Sequence, residues 1–287
     1  MRSSPLAFLR GGISLLLFTL NTVLWIVPLL LAHLLKLILP SRGWRRFWSR
    51  VQNGIGTVWI SINNWHQSLT NPVRWDVDGV EGLSPDGWYV VVANHRTWAD
   101  ILVLQRVFNR RIPFLKFFLK KELIWVPLLG LAWWSLDYPF LKRSGTARRD
   151  LEAIREATEK FKLVPVSVMN FVEGTRFTAR KHEKQRSPYT HLLKPKVGGL
   201  AAVLAAMEEE VHSVLDVTIV YRGGSPDFWS FLCGEVDEVK VRVDPLHVTP
   251  EMVGDFMEDK AFRRAFLTWL DEVWKRKDRR MASLLKD

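Results

Sequence analysis

The sequence predicts an α/β domain, a mixed and mostly parallel sheet flanked by helices, behind an N-terminal hydrophobic helical membrane anchor. Three observations predict it. Apolar β-branched runs, Tyr89–Ala93 and Val164–Val172 above all, end in polar turns and read as buried strands. Helical patterns alternate with such runs along the chain, as they do over a parallel or mixed sheet. Gly11 to Leu35 is almost wholly apolar and long enough to cross a bilayer core of about 30 Å as a helix.

Taken in order, the apolar run is interrupted only by Ser14, Thr19, Asn21, Thr22, Pro28 and His33. Its length and the lack of a clear small-x-small site argue against a cleaved signal peptide. Pro28 and the polar interruptions leave two geometries open, a straight span and a bent segment that enters one leaflet and returns. Lys36, Arg42, Arg45, Arg46 and Arg50 follow the run, whereas only Arg2 and Arg10 precede it, and this bias puts the following domain on the cytoplasmic side. Trp44, Trp48, Val51, Ile55, Val58, Trp59, Ile62 and Trp65 then recur at helical spacing beside the arginines. Beside the apolar run upstream such a face favours a membrane interface, with a helix packed on the protein core as the alternative.

Asn71-Pro72 ends that helix and marks a boundary between an anchor, residues 1–70, and a catalytic domain, residues 71–287. Arg74 to Val80 reads as a strand, Glu81 to Gly87 as a turn, Tyr89 to Ala93 as the central strand and Trp98 to Phe108 as a helix. Phe114 to Pro127 mixes aromatic and basic residues, and Trp133 to Leu141 holds a further strand. Thr146 to Leu163 reads as an exposed helix of mixed charge, and Lys194 to Ala206 as glycines leading into an alanine-rich helix. Val214 to Tyr221 and Val236 to Val243 are strands. The last helix opens at Thr249-Pro250-Glu251 and buries Phe262, Phe266, Trp269, Leu270 and Val273, with Lys275 to Arg280 as a solvated or membrane-facing end.

Composition narrows the function. The chain of 287 residues has a single cysteine, Cys233, which excludes an internal disulfide and argues against a cysteine-built zinc site. A net charge of +11 with fourteen tryptophans suits an anionic membrane surface. The basic clusters lie beside apolar and aromatic stretches, so nucleic acid is the weaker reading. No metal site is indicated, since no further ligands stand at diagnostic spacing from His95 and Asp100.

His95 falls in the strand-to-helix turn Asn94-His95-Arg96-Thr97-Trp98-Ala99-Asp100. Asp100 lies near the first helical turn, where its carboxylate reaches an imidazole five positions back, and a histidine oriented by a carboxylate serves as a general base. The same residues also fit a capping box, with Thr97 as cap and Asp100 three positions on. Arg176 follows a strand and a glycine turn; its forked guanidinium suits a phosphate, though by itself a salt bridge with Glu173 or another carboxylate is the favoured reading. Lys121 adds a cation that is ambiguous by itself.

These stretches together resemble the glycerolipid acyltransferase family typified by 1-acylglycerol-3-phosphate acyltransferases. The resemblance rests on Asn94-His95-Arg96-Thr97-Trp98-Ala99-Asp100, on Lys121-Glu122-Leu123 with Pro127 and Gly130, and on Phe171-Val172-Glu173-Gly174-Thr175-Arg176. Each motif alone is unspecific; the order of all three carries the likeness. It implies a glycerol-phosphate acyltransferase-like fold, with His95 as general base and Asp100 as its partner. Lys121 and Arg176 would clamp the acceptor's phosphate, and Asn94, Glu173, Gly174 and Thr175 would support the turns. It further implies no cofactor, an acyl thioester on coenzyme A or acyl-carrier protein as co-substrate, and a lysophospholipid acceptor, most readily 1-acylglycerol-3-phosphate at its sn-2 hydroxyl. The expected setting is a phospholipid membrane, the bacterial inner membrane with the domain on its cytoplasmic side. A thioester is already activated, so no nucleophile elbow is needed, and none is present. Leu215-Asp216-Val217-Thr218, Arg176-Phe177-Thr178 and Lys181-His182 lean toward the lysocardiolipin acyltransferase branch, which leaves lysocardiolipin or lysophosphatidylglycerol as alternative acceptors. A thioesterase or lipid hydrolase using the same His95-Asp100 pair with water is the remaining alternative.

Overall fold

The computed structural model describes residues 4–141 and 147–286. Two long helices come first, α1 (Pro5–Ile38), capped by Ser4, and α2 (Arg42–Thr70), capped by Ser41. They pack antiparallel, Ser14 bonding Thr70 and Asn21 bonding Asn63. α1 is one unbroken helix through Pro28. Its buried side is mostly small or polar (Gly11, Ser14, Asn21, Thr22, Ala32, His33, Lys36), with only Ile26 and Leu29 as large apolar members, and α2 buries Ser49, Gln52, Gly56, Ile60, Asn63, His66 and Gln67. Many of the large apolar side chains of α1, Leu16, Leu24, Leu34 and Ile38 among them, lie more than half exposed. This inverts the pattern of a helix in a water-soluble core. Along α2 most of the tryptophan face is half-buried, and only Trp65 stands open at 65% exposure.

The hairpin lies along the following domain. Near the start of α1, Phe8 meets Trp229 edge to face at 5.4 Å. Near its end, His33 meets Trp134 at 4.3 Å and bonds the Ser135 carbonyl at 3.0 Å. Lys36 there pairs with Asp137.

The domain is built on β1 (Arg74–Asp78), β2 (Tyr89–Ala93), α3 (Ala99–Phe108), β3 (Leu115–Phe117), β4 (Leu119–Lys120), α4 (Leu129–Ser135), β5 (Phe140–Leu141), α5 (Ala147–Glu159), β6 (Ser167–Asn170), α6 (Ala179–Gln185), α7 (Val197–Ala206), β7 (Ser213–Tyr221), α8 (Phe228–Leu232), β8 (Glu238–His247) and α9 (Lys260–Leu284). The main sheet runs β1-β8-β7-β2-β6-β3, with every neighbouring pair parallel except β7 and β8, while β4 and β5 form a short parallel pair apart. The mixed, mostly parallel sheet flanked by helices is therefore as the sequence predicts. β2 is buried on both faces, Val91 and Ala93 packing with Leu104 and Phe108 of α3, Val90 and Val92 with the side that holds Leu200, Phe266 and Trp274. A strand covered on both faces is a continuous apolar run, which is why it was readable.

Several expectations change. The strand expected within Trp133–Leu141 is confined to Phe140–Leu141, because Leu129–Ser135 is helical. The strand expected over Val164–Val172 is only Ser167–Asn170. Thr249-Pro250-Glu251 opens a single 3-10 turn, Pro250–Met252; the last helix begins at Lys260, where Asp259 caps Ala261 and Phe262. Lys275 to Arg280 is no solvated end throughout: Lys277 is fully buried, at 2.8 Å from Asp216 and 2.5 Å from the Val217 carbonyl, and Arg280 pairs with Asp244. A run of cations carries no local mark of which one a distant carboxylate takes. Thr146, the expected start of the fifth helix, lies outside the described residues.

Candidate active site

β2 and β6 run parallel side by side, so the turns leaving their C-terminal ends meet at one rim of the sheet. Asn94 leads the first turn. Its amide bonds both backbone groups of Ile219, at 2.9 and 2.8 Å, and so prolongs the β2–β7 pairing one residue past Ala93. His95 follows with its side chain 13% exposed and its ring stacked on Phe171 at 3.9 Å and 16°.

The Nδ1 atom of His95 lies 2.8 Å from Oδ2 of Asp100, which has no solvent exposure. That oxygen also accepts the Arg96 and Thr97 N–H groups, at 2.6 and 3.0 Å, while Oδ1 accepts the Tyr221 hydroxyl at 2.7 Å. Asp100 is thus a helix-terminal acceptor and the partner of an imidazole at once; the two sequence readings describe one carboxylate. Since an ionised carboxylate only accepts, the Nδ1 proton points at Asp100 and the Nε2 lone pair faces outward. Among the described residues Nε2 has no hydrogen-bond partner. Burial and the Asp100 charge push the Tyr221 hydroxyl far above its ordinary pKa, so it stays a donor.

Glu173 ties the two turns together. Its Oε1 accepts the His95 N–H at 2.9 Å and its Oε2 the Leu193 N–H at 3.0 Å. Burial pushes its carboxyl up to about 7, against the pull of those two N–H groups and of Arg96. It is a positioning group held under His95, and not the salt-bridge partner of Arg176. Gly174 takes φ +65°, and a Cβ there would come within 2.8 Å of the Lys196 side chain, so both backbone and space call for glycine. Thr175 accepts the Lys181 ammonium at 2.7 Å, and Lys181 also bonds the Arg176 carbonyl at 2.9 Å. The exposed Arg176 guanidinium lies over the Trp98 ring at 5.0 Å, and the next residue, Phe177, donates its N–H to the His95 carbonyl at 2.7 Å. Among the described residues Arg176 has no carboxylate partner, and its turn is joined to that of His95 through Phe177.

Lys121 is placed differently. It opens an exposed 3-10 turn, Lys121–Trp125, just beyond β4. β3 parallels β6, which puts this turn on the same side of the sheet, yet Lys121 makes no hydrogen bond or ion pair with His95, Asp100 or Arg176 among the described residues. The structure therefore gathers Asn94, His95, Asp100, Glu173, Gly174, Thr175 and Arg176 into one site and leaves Lys121 at its margin. Tyr221, Phe171 and Trp98 join the site only through the fold. Tyr221 stands 121 residues from Asp100, at the end of an ordinary apolar strand, and nothing local marks it. Lys181 and His182 buttress the second turn, His182 bonding the Tyr189 carbonyl at 2.6 Å, rather than lining the opening. Among the described residues no group of His, Cys, Asp and Glu is arranged to hold a metal ion.

Residues 74–222 match the family model described as Acyltransferase. Among curated proteins, 1-acyl-sn-glycerol-3-phosphate acyltransferase gamma of Homo sapiens is 28% identical over 250 residues, covering 82% of this chain and 63% of that protein. The gamma protein of Mus musculus and the delta protein of Bos taurus are each 28% identical, covering 66% of this chain and 51% of theirs. The chain thus spans half to somewhat under two thirds of the length of these relatives. Among solved structures, the 1-acyl-sn-glycerophosphate (LPA) acyltransferase PlsC of Thermotoga maritima superposes with a TM-score of 0.57 at 20% identity, over 96% of this chain and 98% of that one, a likeness of fold.

Proposed function

The chain belongs to the acyltransferase family, and from that premise we propose that it transfers a fatty acyl group from an acyl thioester to the free hydroxyl of a lysophospholipid, most readily the sn-2 hydroxyl of 1-acylglycerol-3-phosphate. The observation that carries the proposal is an imidazole whose Nδ1 is held on Asp100 and whose Nε2 has no hydrogen-bond partner among the described residues, with exposed Arg176 resting on Trp98 in the adjoining turn. Nε2 takes the proton of the acceptor hydroxyl as its oxygen attacks the thioester carbonyl, and Asp100 stabilises the imidazolium that forms. The tetrahedral intermediate expels the thiolate, which recovers the proton from Nε2. No protein nucleophile takes part. Arg176 grips the acceptor's phosphate by paired charge-assisted hydrogen bonds.

The test is purified protein in detergent with acyl-coenzyme A or acyl-carrier protein, each against lysophosphatidate, lysocardiolipin and lysophosphatidylglycerol. Acceptor-dependent formation of acylated lipid is expected; free fatty acid alone, with or without acceptor, would make the protein a hydrolase. Arg176→Ala is expected to raise the acceptor KM about ten- to a hundredfold through the lost charged hydrogen bonds. An unchanged KM and rate would remove Arg176 from the phosphate site.

The anchor enters one leaflet and does not cross. Phe8 and His33 both touch the domain although about 37 Å of helix separates them. Most of the large apolar side chains of α1 open outward over this length while Ser14 and Asn21 hydrogen-bond α2, the arrangement of a lipid-facing helix. The division into an anchor, residues 1–70, and a catalytic domain from residue 71 follows as part of this reading. With cysteines placed at Ser4 and Ser41 in sealed vesicles, an impermeant thiol reagent is expected to label both from the same side. Labelling from opposite sides would establish a spanning helix.

A further inference from the structure

The short turn Lys121–Trp125 and α4 (Leu129–Ser135) are tied into one knuckle. Gly130 donates its N–H to the Val126 carbonyl at 2.8 Å, and a Cβ on Gly130 would fall 1.9 Å from the Ile124 carbonyl oxygen. Leu128, at φ +63°, holds a left-handed backbone that bulky residues rarely adopt. The knuckle is therefore tightly wound, yet it turns its largest apolar side chains out: Trp125 is 84% exposed, Leu131 50% and Trp134 44%. Packing of the domain does not account for a rigid element that shows two tryptophans and a leucine to solvent.

What lies beside it identifies the partner. Trp134 packs on His33 of α1 at 4.3 Å, in the part of α1 where Leu31, Leu34 and Ile38 are more than half exposed. The outward face of the knuckle continues the outward face of α1. Exposed Lys120 and Lys121 stand at its entry, and tryptophan flanked by lysine is the composition of an interfacial segment on anionic lipid. We propose that residues 121–135 are a second membrane-docking element, seated with Trp125 in the headgroup region of the leaflet that receives α1. The inference rests on the one-leaflet reading of α1 and deepens it. It brings Lys121 to the depth of the lipid phosphates, at the margin of the sheet rim that carries His95 and Arg176, so a lysolipid approaches its cation from within the leaflet.

The test uses the full chain carrying Trp125→Cys labelled with an environment-sensitive fluorophore, with Glu208→Cys as an exposed control and the wild type, its buried Cys233 in place, as the labelling blank. The protein is reconstituted in vesicles of phosphatidylcholine and phosphatidylglycerol. At position 125, shallow nitroxide-labelled lipids are expected to quench strongly and aqueous iodide weakly; at position 208 the order reverses. Iodide quenching at 125 equal to that at 208 overturns the proposal. Trp125→Asp is expected to raise KM about tenfold or more for a vesicle-borne long-chain acceptor and to leave a soluble short-chain acceptor unchanged. Equal effects on both acceptors count against docking. The quenching experiment needs no turnover, so a chain that docks without transferring acyl groups would refute the proposed reaction and not this inference.

Discussion

In a folded His95→Ala protein, kcat/KM for acyl transfer is expected to fall by about 10²–10⁴-fold, the range of general-base catalysis. His95 is held at three places: Nδ1 on Asp100 at 2.8 Å, the ring on Phe171 at 3.9 Å, and the backbone N–H on Glu173 at 2.9 Å. The backbone bond survives truncation, so the turn should keep its shape and the loss should report chemistry. Circular dichroism and a melting curve close to those of the wild type would establish that. Steady-state rates with lysophosphatidate and an acyl-coenzyme A then decide the matter. Turnover within a few-fold of the wild type would mean that the base is another group and that the dyad is only a turn and a cap.

The second large effect is at Asp100, where two substitutions separate charge from geometry. Asp100 accepts four hydrogen bonds, from His95 Nδ1, the Arg96 and Thr97 N–H groups and the Tyr221 hydroxyl. In Asp100→Asn the two backbone N–H groups select the orientation of the amide: its oxygen takes the Oδ2 position and its NH₂ faces Tyr221, whose hydroxyl rotates to accept. The imidazole then keeps its tautomer and loses only the negative charge that stabilises its protonated form. The expected loss is about 5–30-fold in kcat with little change in stability, since a charged hydrogen bond exceeds a neutral one by roughly 1–2 kcal/mol. Asp100→Ala strands the two backbone donors and the Tyr221 hydroxyl as well, each at about 1–3 kcal/mol. It should destabilise the protein by several kcal/mol and abolish measurable transfer. Paired denaturation and rate measurements test this ordering; equal stability of the Asn and Ala variants would contradict the hydrogen-bond network described.

The legible part of the site was local. His95 and Asp100 stand five residues apart across a strand-to-helix turn, so the sequence itself brings imidazole and carboxylate within reach, and Arg176 follows its strand through a turn that needs Gly174. The buttress was not legible. Glu173 reaches His95 across 78 residues and Tyr221 reaches Asp100 across 121. Lys277 shows the same limit: a basic tail in the sequence, it is a buried ion pair with Asp216 in the fold.

By itself the sequence determined the elements that one periodicity governs: the apolar strand Tyr89–Ala93, the long apolar helix ahead of the domain, and the turn that carries His95. Backbone sterics and hydrophobic burial act over a few residues, so these features are written where they occur. Only the tertiary structure decided which carboxylate sits beneath His95, that Arg176 rests on Trp98 while Lys121 stays at the margin, and that α1 turns its leucines outward and its polar atoms toward α2. Those outcomes depend on which strands lie side by side and which helix covers them. Chain topology sets that through contacts between residues far apart in sequence, where no local pattern reaches.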